Sequence, residues 1–159
     1  MLPMKLMLSK TGVIYNLNFF LKFFKRNDYF MIILFDGICN LCEASVKFII
    51  KRDKKGKFRF VAFQSVKGSE ILEKNNYSNK KFDTLILLKE RKIYTKSTAA
   101  LLIAKELHLI WKLFYIFIII PKFLRDPIYL FISKNRYKWF GKKGSCLLPS
   151  PKIKSRFLE

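Results

Sequence analysis

A short apolar run, Met31 to Phe35, meets a turn at Asp36-Gly37, and Cys39 and Cys42 follow with two residues between them. The next stretch has helical spacing: Val46, Ile49 and Ile50 share one face, while Lys47, Lys51 and Arg52 lie largely off it. This order predicts a buried strand, a turn, and a helix with Cys39 at or near its N-terminus. A thiol there faces free backbone N–H groups and the positive end of the helix dipole, which favour the thiolate. Cys42 falls one turn further along the same face, within reach of a disulfide. Together these features make a dithiol–disulfide exchange site, with Cys39 as nucleophile and Cys42 as the resolving thiol.

The residues Asp36, Cys39 and Cys42, in LFDGICNLC, resemble the D-x-x-C-x-x-C signature of the DCC family of thiol-disulfide oxidoreductases. The likeness continues through FRFVAFQS (58–65), DTLILL (83–88), the stretch around IYTKSTAAL (93–101) and RYKWFGKKGSCLLP (136–149). It implies a thioredoxin-like fold, an oxidoreductase activity resembling protein-disulfide reduction, and a functional part for Asp36 beside the two cysteines. Asp36 is then a proton acceptor for Cys42, the alternative being a helix cap. If close to Cys39, its charge raises the thiol pKa, against the helix N-terminus and nearby cations. Thioredoxin-like proteins usually place a cis-proline just before the first hairpin strand. This chain reads Phe82-Asp83-Thr84 there, with no proline, so Asp83 either approaches the dithiol instead or is a solvated loop carboxylate.

The remaining elements can be read in order. Phe58–Phe63 predicts a second strand, parallel to the first because a helix joins them. Residues 66–74 suit a short helix, and Thr84–Leu88 and Lys92–Thr95 a hairpin turning at Lys89-Glu90-Arg91. Ser97 is the expected cap of a helix to about Leu107 that presents Ala100, Leu101 and Ala104 on one side. Residues 109–120, LIWKLFYIFIII, are too few to span a bilayer and are expected to be a core helix ended by Pro121. Seating in a membrane interface is the alternative. Asp126-Pro127 reads as the start of a last helix to about Lys134, with Tyr137, Trp139 and Phe140 packing onto the core. The fold class is α/β: a thioredoxin-like core of strand, CxxC helix, strand, helix and hairpin, with a helical C-terminal portion.

Composition narrows the function classes. At 159 residues one domain is expected, residues 31–159, preceded by a basic extension, residues 1–30. Within that extension 13–26 predicts an amphipathic helix with Asn18, Lys22, Lys25 and Arg26 on its polar arc. Three cysteines, two of them in the CxxC, speak against a secreted disulfide framework. A reducing, cytoplasmic setting is expected, with a peripheral membrane contact through the extension as a further option. Formal net charge is +21. Residues 1–30 hold five Lys/Arg and one Asp, so 27 Lys/Arg against 10 acids, or +17, belong to the domain. Such a field attracts polyanions and anionic lipid, unless it is simply a solvated lysine-rich surface. Candidate partners are a disulfide-bearing substrate, a thiol reductant and an anionic membrane surface. Lys134–Arg156 interleaves eight Lys/Arg with aromatics and carries no acid, yet no nucleic-acid fold motif accompanies it, and nucleic acid is not an expected partner.

A rival reading is structural zinc, with Cys39, Cys42, Cys146 and the single histidine, His108, as a Cys3His set. Neither Cys146 nor His108 has a close partner in sequence, and His108 sits between two leucines, where a packed neutral imidazole is the commoner outcome. Cys146 alone reads as a small buried residue, a second redox partner or a metal ligand. A second rival is a membrane-surface adaptor with inert thiols. With one histidine no Ser/His/Asp grouping is assembled, and no phosphate-binding glycine loop is present. Hydrolase and nucleotide-binding functions are set aside, and no cofactor is expected.

Overall fold

The structure, a computed structural model, describes residues 31–77, 84–108, 110–144, 151 and 153–158. The expected amphipathic helix of 13–26, Asp83 and Cys146 lie outside the described residues.

Strand β1 (Met31–Phe35) is apolar throughout and holds a central place in a four-stranded sheet of order β2-β1-β3-β4. It runs parallel to β2 (Phe58–Ala62), with Ile33 opposite Phe60, and antiparallel to β3 (Ile86–Lys89), with Ile33 opposite Leu87. The β3–β4 hairpin closes on β4 (Lys92–Thr95). Its turn residues Glu90 and Arg91 both have positive φ, 50° and 63°, the pattern a two-residue turn needs to match strand twist.

Alternation along the strands feeds two cores. On one face Ile33, Phe35, Phe58, Phe60 and Leu87 pack with Val46 and Ile49 of α1 (Asn40–Arg52) and with Ala99 and Ile103 of α3 (Lys96–Glu106). On the other face Leu34, Val61, Phe63 and Ile86 meet Leu72 of α2 (Val66–Lys74). Each fully buried Phe or Leu contributes about 1.5–3 kcal/mol by leaving water. Ser65 caps α2 through the Gly68 N–H at 3.0 Å. Beyond these elements, residues 153–158 return to the open edge of β2, where Phe157 forms a bridge with Phe60. Arg156 bonds the buried Asp53 carboxylate, which also receives the Phe58 N–H at 2.9 Å.

Element order and sheet pairing meet the expectation; several C-terminal details do not. The helix α3 starts two residues early, after Thr95, and Ser97 lies inside it, its hydroxyl bonding the Asp126 carboxylate. A charged acceptor across the helix pair outcompetes the local cap. Ala99 and Ile103 face the sheet, and Ala100, Leu101 and Ala104 are half-buried.

The run expected as a core helix is a short helix α4 (Ile110–Leu113) and a 3-10 segment (Phe114–Ile119) lying on the outside of α3. Ile110, Leu113, Phe114, Ile116, Phe117, Ile119 and Ile120 are all exposed. Both sheet faces are already covered, so the core contact of this segment falls to Trp111, whose ring meets Phe48 edge-on at 4.6 Å. The last helix, α5 (Lys122–Phe140), begins after Pro121 and contains Pro127. Asp126 therefore does not cap it; that carboxylate is taken by Ser97. His108 is exposed, contrary to its reading as a packed imidazole. Trp139 and Phe140 are exposed as well, and Tyr137 alone of the three aromatics turns inward.

Candidate active site

The first strand ends at the sheet's upper edge, and the turn after it delivers Asp36, Cys39 and Cys42 to one place. Cys39 is the N-cap residue of α1, with extended backbone (φ −89°, ψ 120°). Its Sγ accepts the Cys42 N–H at 3.3 Å, the role that a serine or aspartate oxygen usually fills at a helix start. Both cysteines are free thiols. Burial pushes the Cys42 thiol pKa up, and the hydrogen bond and charge of Cys39 push it further, while the Arg136 charge opposes them.

Asp36 is buried and fully engaged. Its Oδ1 accepts the Ile38 N–H at 3.2 Å and the Gln64 amide at 2.8 Å, and Gln64 Oε1 in turn accepts the Gly37 N–H at 3.0 Å. Its Oδ2 accepts from Arg136 Nη2 at 2.9 Å and from the Tyr137 hydroxyl. Arg136 is buried on α5 and also donates to Ser133 Oγ at 2.9 Å. Burial disfavours the guanidinium charge, but its bond to Tyr137 and the charges of Cys42, Tyr137 and Asp36 together raise the pKa of Arg136. Asp36 therefore fixes the turn before the CxxC and pairs a buried cation.

Cys39, although first in the motif, is only 1% exposed. The chain leaving α5 covers it: Cys39 and Lys142 form an antiparallel bridge, and the Lys143 N–H reaches Ile38 O at 2.9 Å. Asn40 Nδ2 holds Phe140 O at 2.8 Å, and Lys143 pairs with Glu43 in the first turn of α1. Hydrogen bonds from Lys143 and Lys47 hold the Glu43 carboxyl below the usual carboxylate range. Residues 140–143 thus form a strap across the dithiol. Tyr129 of α5 accepts the Leu85 N–H at 2.9 Å just before β3, satisfying backbone beside the place where a cis-proline is usual.

The chain matches the family described as DCC1-like thiol-disulfide oxidoreductase over residues 33–142, a span holding both cysteines, Asp36, Arg136 and the strap's first residues. It belongs to that family. DCC1-like proteins are thioredoxin-like, in keeping with the mixed sheet and the five helices among the described residues. The chain is similar to the uncharacterized protein YuxK of Bacillus subtilis (strain 168), 50% identical over 127 residues, covering 80% of this chain and 93% of YuxK. It is also similar to a chloroplastic DCC family protein of Arabidopsis thaliana, 36% identical over 126 residues, covering 79% of this chain and 73% of that one. No solved structure matches.

For this DCC1-like chain the sequence placed Asp36, Cys39 and Cys42 together, and the structure groups them. It did not single out Gln64, Arg136, Tyr137 or Glu43. The blocks FRFVAFQS and RYKWFGKKGSCLLP carried the available signal, since they end near Gln64 and begin at Arg136. Among the described residues no group of three or more His, Cys, Asp or Glu is placed to hold a metal.

Proposed function

We propose that this protein is a thiol–disulfide exchange enzyme acting through Cys39 and Cys42. The observation that carries the reading is Cys39 Sγ seated as the cap of α1 and accepting the Cys42 N–H. Cys39 Sγ, as the thiolate, attacks one sulfur of a substrate disulfide. A Cys39–substrate disulfide forms, the substrate S–S bond breaks, and the departing thiolate takes up a proton. The Cys42 thiol has until then been held protonated by burial and by Cys39 itself. Once Cys39 sulfur is in a disulfide, its hydrogen bond and charge no longer raise Cys42, while Arg136 still favours the thiolate. Burial still holds the Cys42 proton, so it leaves as Cys42 attacks Cys39 Sγ and passes to the second substrate thiolate as that is expelled. Two electrons pass to the substrate, leaving a Cys39–Cys42 disulfide that an external thiol reductant reopens.

In this scheme Asp36 is a positioning residue: it orients the turn and keeps Arg136 beside Cys42. The strap must swing away from Cys39 before a protein disulfide can reach it. A reducing, cytoplasmic setting, in which the reduced dithiol is the resting form and disulfides are its substrates, suits the reading.

Trapping tests it. Cys42→Ser should accumulate a mixed disulfide on Cys39 when mixed with oxidised glutathione or a disulfide-bearing protein, and Cys39→Ser should accumulate none. Trapping on Cys42 in the Cys39→Ser variant alone would reverse the roles, and trapping in neither would remove the exchange reading.

A further inference from the structure

Helix α5 is turned inside out. Its inward side carries Tyr129, Ser133 and Arg136, bonded to Leu85, to one another and to Asp36. Its outward side carries Leu124, Ile128, Phe131, Ile132 and Trp139, all exposed. A helix packed on a water-soluble core normally shows the opposite arrangement. Phe123 in the first turn of α5 is 72% exposed, and the surface extends into the segment before the helix, where Ile119 is 79% exposed. Contiguous apolar surface on this scale marks an interaction site.

Charge selects the occupant. Residues 110–144 hold eight Lys/Arg and one acid, Asp126, which is engaged by Ser97. Lys112, Lys122, Lys134 and Lys138 are all exposed on the same elements, and Lys142 is exposed just beyond them. A second copy would set this positive face against itself. Residues 1–30, with five Lys/Arg against one Asp, carry the same sign and are a poor cover for the same reason. Nucleic acid would satisfy the lysines and leave the isoleucines and leucines facing phosphate and water. An anionic bilayer satisfies both: the aliphatic and aromatic side chains enter the interface, and the lysine ammonium groups reach the headgroups.

We propose that α5 and the 110–120 segment dock on an anionic phospholipid surface. The contact is interfacial, since no helix among the described residues is long and apolar enough to cross a membrane. Phe140, held by Asn40 beside the CxxC, lies at the edge of this face, so docking brings the dithiol next to the lipid plane.

The test uses the full chain and unilamellar vesicles of phosphatidylcholine, with or without an equal share of phosphatidylglycerol. In a Trp111→Phe background Trp139 is the remaining tryptophan, and its emission should shift to the blue on the anionic vesicles alone. Phe123→Ser with Ile128→Ser, checked for native circular dichroism, should weaken co-sedimentation about tenfold or more, as loss of inserted apolar side chains does. Phe20→Ser with Phe24→Ser in the N-terminal segment should leave it unchanged. Four results would overturn the proposal: no binding to anionic vesicles; binding indifferent to Phe123 and Ile128; binding lost only with Phe20 and Phe24; or a dimer that dissolves with Phe123→Ser and Ile128→Ser while lipid is ignored. No thiol chemistry enters the readout, so its failure leaves the exchange reading standing.

Discussion

Arg136 Nη2 lies 2.9 Å from Asp36 Oδ2, with side chains only 5% and 1% exposed, joining positions a hundred residues apart. Taking one partner from such a pair leaves a buried charge without its counterion. Arg136→Met is therefore expected to lower stability by about 3–5 kcal/mol, measured by urea unfolding. Asp36→Asn combined with Arg136→Met should recover part of the loss. A cost for the double variant equal to the sum of the single ones would show that the pair is not coupled.

The same arginine opposes the forces that hold the Cys42 thiol pKa high. In Arg136→Gln, which removes that charge, the pH profile for resolving a preformed mixed disulfide should move to higher pH while formation of that disulfide changes less. Equal slowing of both steps would mean that Arg136 acts on the fold alone.

The strap makes Cys39 reactivity depend on Glu43. Because Glu43 is held below the ordinary carboxylate range by Lys143 and Lys47, its ion pairs are complete above that range. They fail as pH falls through the lowered value. Glu43→Gln should mimic the acid state at neutral pH and raise the rate of Cys39 alkylation roughly two- to fivefold, matching about 0.5–1 kcal/mol from a partly exposed pair. An unchanged rate would show that backbone bonds alone hold the strap.

Gly68 tests the fold independently of the site. A Cβ there would lie 2.2 Å from Ala62 O, because α2 presses directly on the end of β2. Gly68→Ala is expected to cost about 1–3 kcal/mol as an overpacking change, read as a lower unfolding midpoint with an unchanged slope.

How far the sequence could be read follows from the range of each interaction. β1, the CxxC helix and the hairpin were legible because strand alternation, helical spacing and a two-residue turn are all local signals. Cys39, Cys42 and Asp36 fall within seven residues, so their meeting was legible too. The partners of Asp36 were not: Arg136 looked like one more lysine-rich surface charge until α5 folded back over the turn. The same blindness applied to residues 110–120. Hydrophobicity alone argued for burial, and only the finished packing, with α1 and α3 on one sheet face and α2 on the other, left the core contact to Trp111 and the isoleucines outside. Ser97 and Asp126 both have the local setting of a helix cap; each instead bonds the other across two helices, a choice that no local rule contains.

The central claim is a redox-active Cys39–Cys42 pair, and its most direct test is equilibration of the full chain in graded glutathione buffers, followed by alkylation of free thiols and mass mapping of the cysteines. The account predicts a reversible Cys39–Cys42 disulfide with one midpoint, both thiols appearing and disappearing together. Two cysteines that stay reduced across the whole range, or that oxidise independently with different partners, would contradict it.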